Sequence, residues 1–260
     1  MIKRIVGVIT VMNNWAVQSI GYNTYRPLGR PEIIAQNLDR WQLEEIVVSD
    51  ISRSRHGLGP NIELLETIAQ KKISTPLTYI GGIRDVSDAL KVIKSGADRI
   101  GIESLIDSKP EAAKNISLAI GAQALVIAQS VFTNGNGLKK FNYIDKTTSN
   151  LNTNKILDNM TSASELLLID VKNEGKSESF DKKILTPFHE SDIQIICFGG
   201  ISTGSQISNL LNNKNVSAVG IGNFLNYSEL ANWNLIKNSQ HKSTRQLSYG
   251  KLTQGAKEWF

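Results

Sequence analysis

Apolar residues fall into two alternating kinds of run along this chain. Short, nearly continuous apolar stretches bounded by glycine, asparagine or charged residues predict strands near 4–11, 45–50, 76–80, 99–103, 123–129, 165–171, 193–198 and 217–222. Between them the apolar positions recur at helical spacing, as in Val86, Ala89, Leu90, Val92 and Ile93. They predict helices near 31–42, 61–71, 86–95, 109–119, 154–162, 181–188, 203–213 and 227–238. Start signals agree: Pro31 opens the first helix, Asn61 can cap the second, and Lys109-Pro110 precedes the fourth. Strict alternation of eight strands with eight helices predicts an α/β fold, a (β/α)8 TIM barrel. A doubly wound sheet ranks below it, because no GxGxxG follows the first strand.

The pattern also says one thing twice. The stretch 75–104 reads strand, Gly81-Gly82-Ile83, amphipathic helix, Gly96, strand. The stretch 193–223 repeats that order around Gly199-Gly200-Ile201, 118 residues later. So long a period predicts a duplicated half-barrel with twofold internal symmetry and not a solenoid. Paired glycines after a strand leave backbone N–H groups open at a helix entrance, where the dipole favours an anion. Two phosphate cradles are the functional reading. Two tight βα turns needing positive φ are the structural one.

Two connections exceed what a barrel needs. The loop 12–30 carries Trp15, Tyr22, Tyr25, Arg26 and Arg30. The loop 130–152 alternates at Phe132, Leu138, Phe141 and Tyr143, which predicts a hairpin turning at Asn134-Gly135-Asn136-Gly137. Both follow strands and so belong on the C-terminal face, where barrels of this kind place their sites.

Composition adds bounds. A chain of 260 residues, 40% hydrophobic, suffices for one large core. We expect a single barrel over 1–240 and a polar tail over 241–260, with Lys242, Arg245, Lys251 and Lys257 solvated. A formal charge of +5 with no basic stripe disfavours nucleic acid and suits small anionic ligands equally well. The lone Cys197 lies inside an apolar strand, a core residue of a reducing compartment. The apolar start is too short for a signal peptide, and no run approaches a membrane span, so a cytoplasmic protein without membrane contact is expected. No His/Cys/Asp/Glu spacing suggests a metal, and no cofactor is expected.

The stretches EEIVVSDIS, LTYIGGIRD, GADRIGIES, ELLLID and CFGGIST, with the last strand run to Asn223, resemble the cyclase subunit of imidazole glycerol phosphate synthase, over about residues 1–230. That family is a twofold-symmetric barrel that binds a substrate with a phosphate at each end. A partner glutaminase docks on its bottom face, and ammonia passes through the barrel to the active site. The resemblance implies one phosphate site at Gly82 and Ser104 and another at Gly175, Gly200, Gly222 and Asn223. Glu103 stands where the family has a neutral amide, and would repel a phosphate unless protonated or paired, for instance with Arg84. The resemblance also implies an ammonia gate of Arg4, Glu45, Arg99 and Glu165. These open the first, second, fourth and sixth barrel strands and can form a neutral salt-bridged ring. Charged strand starts that are merely solvated are the plain alternative.

The family's acid–base aspartates are missing. Their positions align with Thr10 and Gln129, and Gln18 replaces a lysine, while Asp50 remains. Neither Thr nor Gln exchanges protons as a carboxylate does. We therefore expect a divergent subunit that delivers glutaminase-derived ammonia to an acceptor outside histidine synthesis. A sugar of a surface polysaccharide, amidated with the help of a further amidotransferase, is the implied acceptor. Its ligand would be phosphorylated or nucleotide-linked. A cyclase with relocated groups and a non-catalytic scaffold for the glutaminase are the competing readings. His56, Asp170, Lys172 and Lys176 are further top-face candidates, while His189 and His241 read as surface.

Overall fold

The computed structural model describes residues 3–135, 137–226 and Leu235. Eight parallel strands close a barrel: β1 (Arg4–Met12), β4 (Glu45–Asp50), β5 (Leu77–Ile80), β6 (Arg99–Ile102), β7 (Leu125–Asn134), β10 (Glu165–Asp170), β11 (Ile195–Phe198) and β12 (Val216–Ile221). β1 pairs with both β12 and β4, and β7 with β10, so the sheet has no free barrel edge. The helices α1 (Pro31–Arg40), α3 (Ile62–Ala69), α4 (Val86–Lys94), α6 (Pro110–Ile120), α7 (Thr153–Met160) and α8 (Gly204–Leu211) fall in the crossovers. Two short helices were not expected: α2 (Ile51–Arg55) and α5 (Ser104–Ser108), directly after β4 and β6.

Strand alternation splits the core in two. Ile5, Ile9, Val11, Ile127, Val131 and Cys197 belong to the large outer cluster, with the helices. Val6, Val8, Val47, Ile80, Val126, Ala128, Leu167, Ile169, Ile196, Phe198 and Ala218 form a separate cluster inside the barrel. Each fully buried aliphatic side chain stabilises the fold by about 1.5–3 kcal/mol.

The repeat is visible atom by atom. Gly81 and Gly199 both have positive φ, 141° and 106°, and a Cβ on either would lie 2.5 Å from a carbonyl oxygen, that of Asp50 or of Asp170. Asp85 and Thr203 then cap α4 and α8 from equivalent positions.

Both long connections are β-hairpins. β2 (Trp15–Ile20) and β3 (Thr24–Gly29) continue antiparallel from β1. β8 (Gly137–Asn142) and β9 (Thr147–Asn150) continue from β7, with Asn134 opposite Gly137 as the Asn-Gly run predicts. The expected helix 181–188 is instead a 3-10 helix over Lys182–Phe188, because Pro187 supplies no N–H for an α-helical turn. The expected helix 227–238, Leu235 aside, and the tail 241–260 lie outside the described residues.

Candidate functional site

At the N-terminal end of the barrel, Arg4, Glu45, Arg99 and Glu165 form a closed ring. Arg4 Nη2 donates to both Glu165 oxygens at 2.6 and 2.7 Å, and Arg99 Nη1 lies 2.8 Å from Glu165 and 3.1 Å from Glu45. Arg4 Nε stands 3.3 Å from Glu45 Oε2, an ion contact without hydrogen-bond alignment. Thr78 donates to Glu45 at 2.6 Å, and the Ser217 hydroxyl to Glu165. Burial alone would raise the Glu165 carboxyl, but Arg4 and Arg99 outweigh it and hold it below the usual glutamate value. The two buried glutamates therefore stay ionised because each faces both of the partly exposed arginines.

At the C-terminal end the barrel opens into a cavity walled by Ser49, Asp50, Glu103, Ser130, Tyr22 and Tyr143. Its free space is about 30 Å³, room for about two waters. Glu103, which follows β6, accepts the backbone N–H of Ser130 at 2.8 Å. Burial pushes its carboxyl above the usual value despite that bond. Tyr143, from the β8–β9 turn, bonds the hydroxyls of Ser54 and Ser104, while burial and Glu103 push its phenol up to about 12. The Gly82 N–H donates to the same Ser54 Oγ at 3.1 Å. Thus Gly82, Ser104 and Ser54 do converge, with a tyrosine hydroxyl among them.

The other half of the mouth is closed by β2–β3. Asn223 accepts the Ser19 N–H at 3.3 Å and donates to the Ser19 carbonyl at 2.5 Å. Gly175 has φ 78°, and a Cβ there would lie 2.4 Å from the Ser19 oxygen. The buried Glu174 accepts the Ser19 hydroxyl at 2.9 Å and the Tyr22 N–H at 3.2 Å, and its carboxyl is raised by burial. Gly200 accepts N–H bonds from Ser179 and Phe180, and Gly222 packs beside Phe198. Ser104 of one expected anion site and Asn223 of the other are thus engaged by hairpin residues, one per hairpin.

Several sequence expectations change. Gln129 lies on the outer face of β7, between the outer-cluster residues Ile127 and Val131, and its Nε2 has no hydrogen-bond partner among the described residues. The inner position at the strand end is Ser130, in phase with Val126 and Ala128. Thr10 is inner, in phase with Val6 and Val8. Arg84 does not reach Glu103; it is bound to Asp88 at 2.7 and 3.2 Å. Both Asp50 oxygens are already used, Oδ1 by Ser52 and Oδ2 by Asn61, so this carboxylate caps α2. Asp170 accepts from Asn173 and the Asp181 N–H while Oδ1 has no partner among the described residues, and burial raises its carboxyl. Among the described residues no group of three or more His, Cys, Asp or Glu could hold a metal, and no helix is long and apolar enough to cross a membrane.

A family model described as "Histidine biosynthesis protein" matches residues 4–231. The chain belongs to that family. Among its relatives, an "Imidazole glycerol phosphate synthase subunit HisF" of Thermococcus gammatolerans is 31% identical over 76% of this chain and 79% of its own. The subunit of the same name from Natranaerobius thermophilus is 27% identical over 88% of this chain and 92% of its own. A Vibrio vulnificus protein named "Putative imidazole glycerol phosphate synthase subunit hisF2" is 28% identical over 79% and 76%.

Within the histidine biosynthesis protein family this chain is a HisF-like barrel. Its inner face ends in hydroxyls at Thr10 and Ser130, and Glu103 and Asp50 are the carboxylates that line the mouth cavity. Sequence reasoning missed Ser130, Ser54 and Glu174. The phase of β7 is unreadable in a run apolar on both faces, and the other two act through contacts across loops.

Proposed function

We propose that this barrel receives ammonia from a glutaminase docked at its N-terminal end and delivers it, at the opposite mouth, to an acceptor outside histidine synthesis. What carries the reading is one contrast. The Arg4–Glu45–Arg99–Glu165 ring makes all four of its ion contacts, while Thr10 and Ser130 leave the inner face without the acid–base pair of a cyclase. A neutral ring can part to pass a small uncharged molecule and close against ions. Above it the apolar barrel interior favours ammonia over ammonium.

At the mouth, Glu103 is the group that can take the proton released when ammonia adds to an electrophilic carbon. Burial raises this carboxyl above the ordinary glutamate value, which makes its carboxylate a stronger proton acceptor. The acceptor we favour is a sugar amidated for a surface polysaccharide, bound through phosphate groups at Gly82 and Ser104 or at Gly175, Gly200, Gly222 and Asn223. A further amidotransferase would act with it in the cytoplasm.

Co-expression with a glutaminase encoded in the same genome tests this. We expect a stable complex, a glutaminase rate raised by the barrel, and nitrogen from labelled glutamine in an amidated sugar product. Absence of both complex and stimulation would remove the reading. A complex with stimulation but no nitrogen transfer would leave only the scaffold role.

A further inference from the structure

Between the turns of the two hairpins lies a groove separate from the barrel cavity but sharing the wall made by Tyr22, Ile51 and Tyr143. Arg55, at the end of α2, and Lys146, in the β8–β9 turn, supply its charge, and His56 beside Arg55 adds an imidazole. Tyr25 and Phe141 supply rings, and no carboxylate lines it. All three basic side chains are exposed, and none pairs with a carboxylate among the described residues. Burial and Glu174 raise the Tyr25 phenol above its ordinary value, with the nearby Arg55 opposing them.

The backbone at the rim is unusual as well. Asn13, Tyr22 and Lys146 all line the groove with φ of 51°, 49° and 59°, a left-handed conformation that side chains adopt at a cost. Three such residues from two hairpins hold one asparagine, one tyrosine and one lysine against the same space. Unpaired cations beside flat rings match one ligand chemistry: an anion of high charge carrying a stackable base.

We propose that this groove binds a nucleoside diphosphate, the activating end of the ligand whose other end enters the barrel mouth past Tyr22 and Tyr143. The inference rests on the proposed function for its direction, since it names how the acceptor is carried. Cations would hold the diphosphate, Tyr25 or Phe141 would stack the base, and the shared wall places the attached group beside Glu103.

The test is isothermal titration of the purified chain with UDP, ADP, pyrophosphate and inorganic phosphate, with no glutaminase present. We expect a nucleoside diphosphate to bind, and pyrophosphate to bind about tenfold more weakly because stacking is lost. Arg55→Ala with Lys146→Ala should weaken the nucleotide at least about tenfold while circular dichroism and melting stay unchanged. Phe141→Ala and Tyr25→Ala, made separately, show which ring stacks, and Tyr25→Phe should bind as wild type. Three results would each overturn the proposal: no binding of UDP or ADP at millimolar concentration, pyrophosphate binding as tightly as both, or a folded Arg55–Lys146 variant that binds normally. Any of these with an intact, stimulated glutaminase would leave the proposed function standing; nucleotide binding without any glutaminase complex would remove that function and keep the groove.

Discussion

The carboxylate of Glu103 accepts the backbone N–H of Ser130 at 2.8 Å, tying the end of β6 to the end of its neighbour β7 at the barrel mouth. One residue supplies a buried acid and the other a small neutral side chain where a family cyclase would need an aspartate. If Glu103 takes a proton during ammonia addition, Glu103→Gln keeps the Ser130 bond but cannot accept it. We expect ammonia-dependent product formation to fall about 10²–10⁴-fold with the fold and glutaminase complex unchanged. Product formation at the wild-type rate would exclude the role.

The ring gives a stability prediction with a pH sign. Arg99→Ala leaves Glu45 and Glu165 sharing Arg4, and unfolding by urea should show a loss of about 3–5 kcal/mol. Glu165 titrates below its ordinary value of 4.5 in the fold, so its contribution is present above that pH. It is lost as the pH falls through the lower, folded value. Melting followed from pH 7 to pH 3 should therefore show the wild type's advantage over Glu165→Gln shrinking below about pH 4.5.

Glu174 behaves oppositely. Its carboxyl is raised in the fold, so the stabilising form is the protonated one, present at low pH and lost as the pH rises through the raised value. Glu174→Gln keeps an acceptor for Tyr22 and should melt no lower than wild type at pH 7. Glu174→Ala should free β2–β3, seen as faster amide exchange at Gly21 and Tyr22.

Gly175→Ala tests the same clasp from below. A Cβ 2.4 Å from the Ser19 oxygen, at φ 78°, forces the turn away and costs about 1–3 kcal/mol. Limited proteolysis should cut within 15–29 sooner than in wild type, while the barrel survives.

The two strand-end positions of β7 should respond in different ways. Gln129→Asp buries a charge on the helix-facing side and should destabilise by about 3 kcal/mol or more. Ser130→Asp faces the mouth cavity and should cost less. A histidine auxotroph lacking the cyclase subunit should not grow on the wild-type gene. Thr10→Asp with Ser130→Asp, and not Thr10→Asp with Gln129→Asp, is the pair that can restore traces of turnover.

Pattern alone determined the barrel. Eight apolar runs spaced by amphipathic helices leave few ways to bury both faces of every strand, and Gly81-Gly82 and Gly199-Gly200 mark where the chain must turn tightly against Asp50 and Asp170. Strand-start charges could likewise be placed at one end, because strand direction is common to all eight. Tertiary structure decided what those charges meet, which face Gln129 occupies and what fills the mouth. In β7 both faces are apolar, so nothing in the run 125–131 distinguishes inside from outside. The clasp of Glu174, Asn223 and Ser19 joins residues about 150 to 200 positions apart, and the meeting of Tyr143 with Ser54 depends on where the β8–β9 hairpin lands against α2. Such contacts are set by the closure of the whole barrel, to which each local sequence contributes only a part.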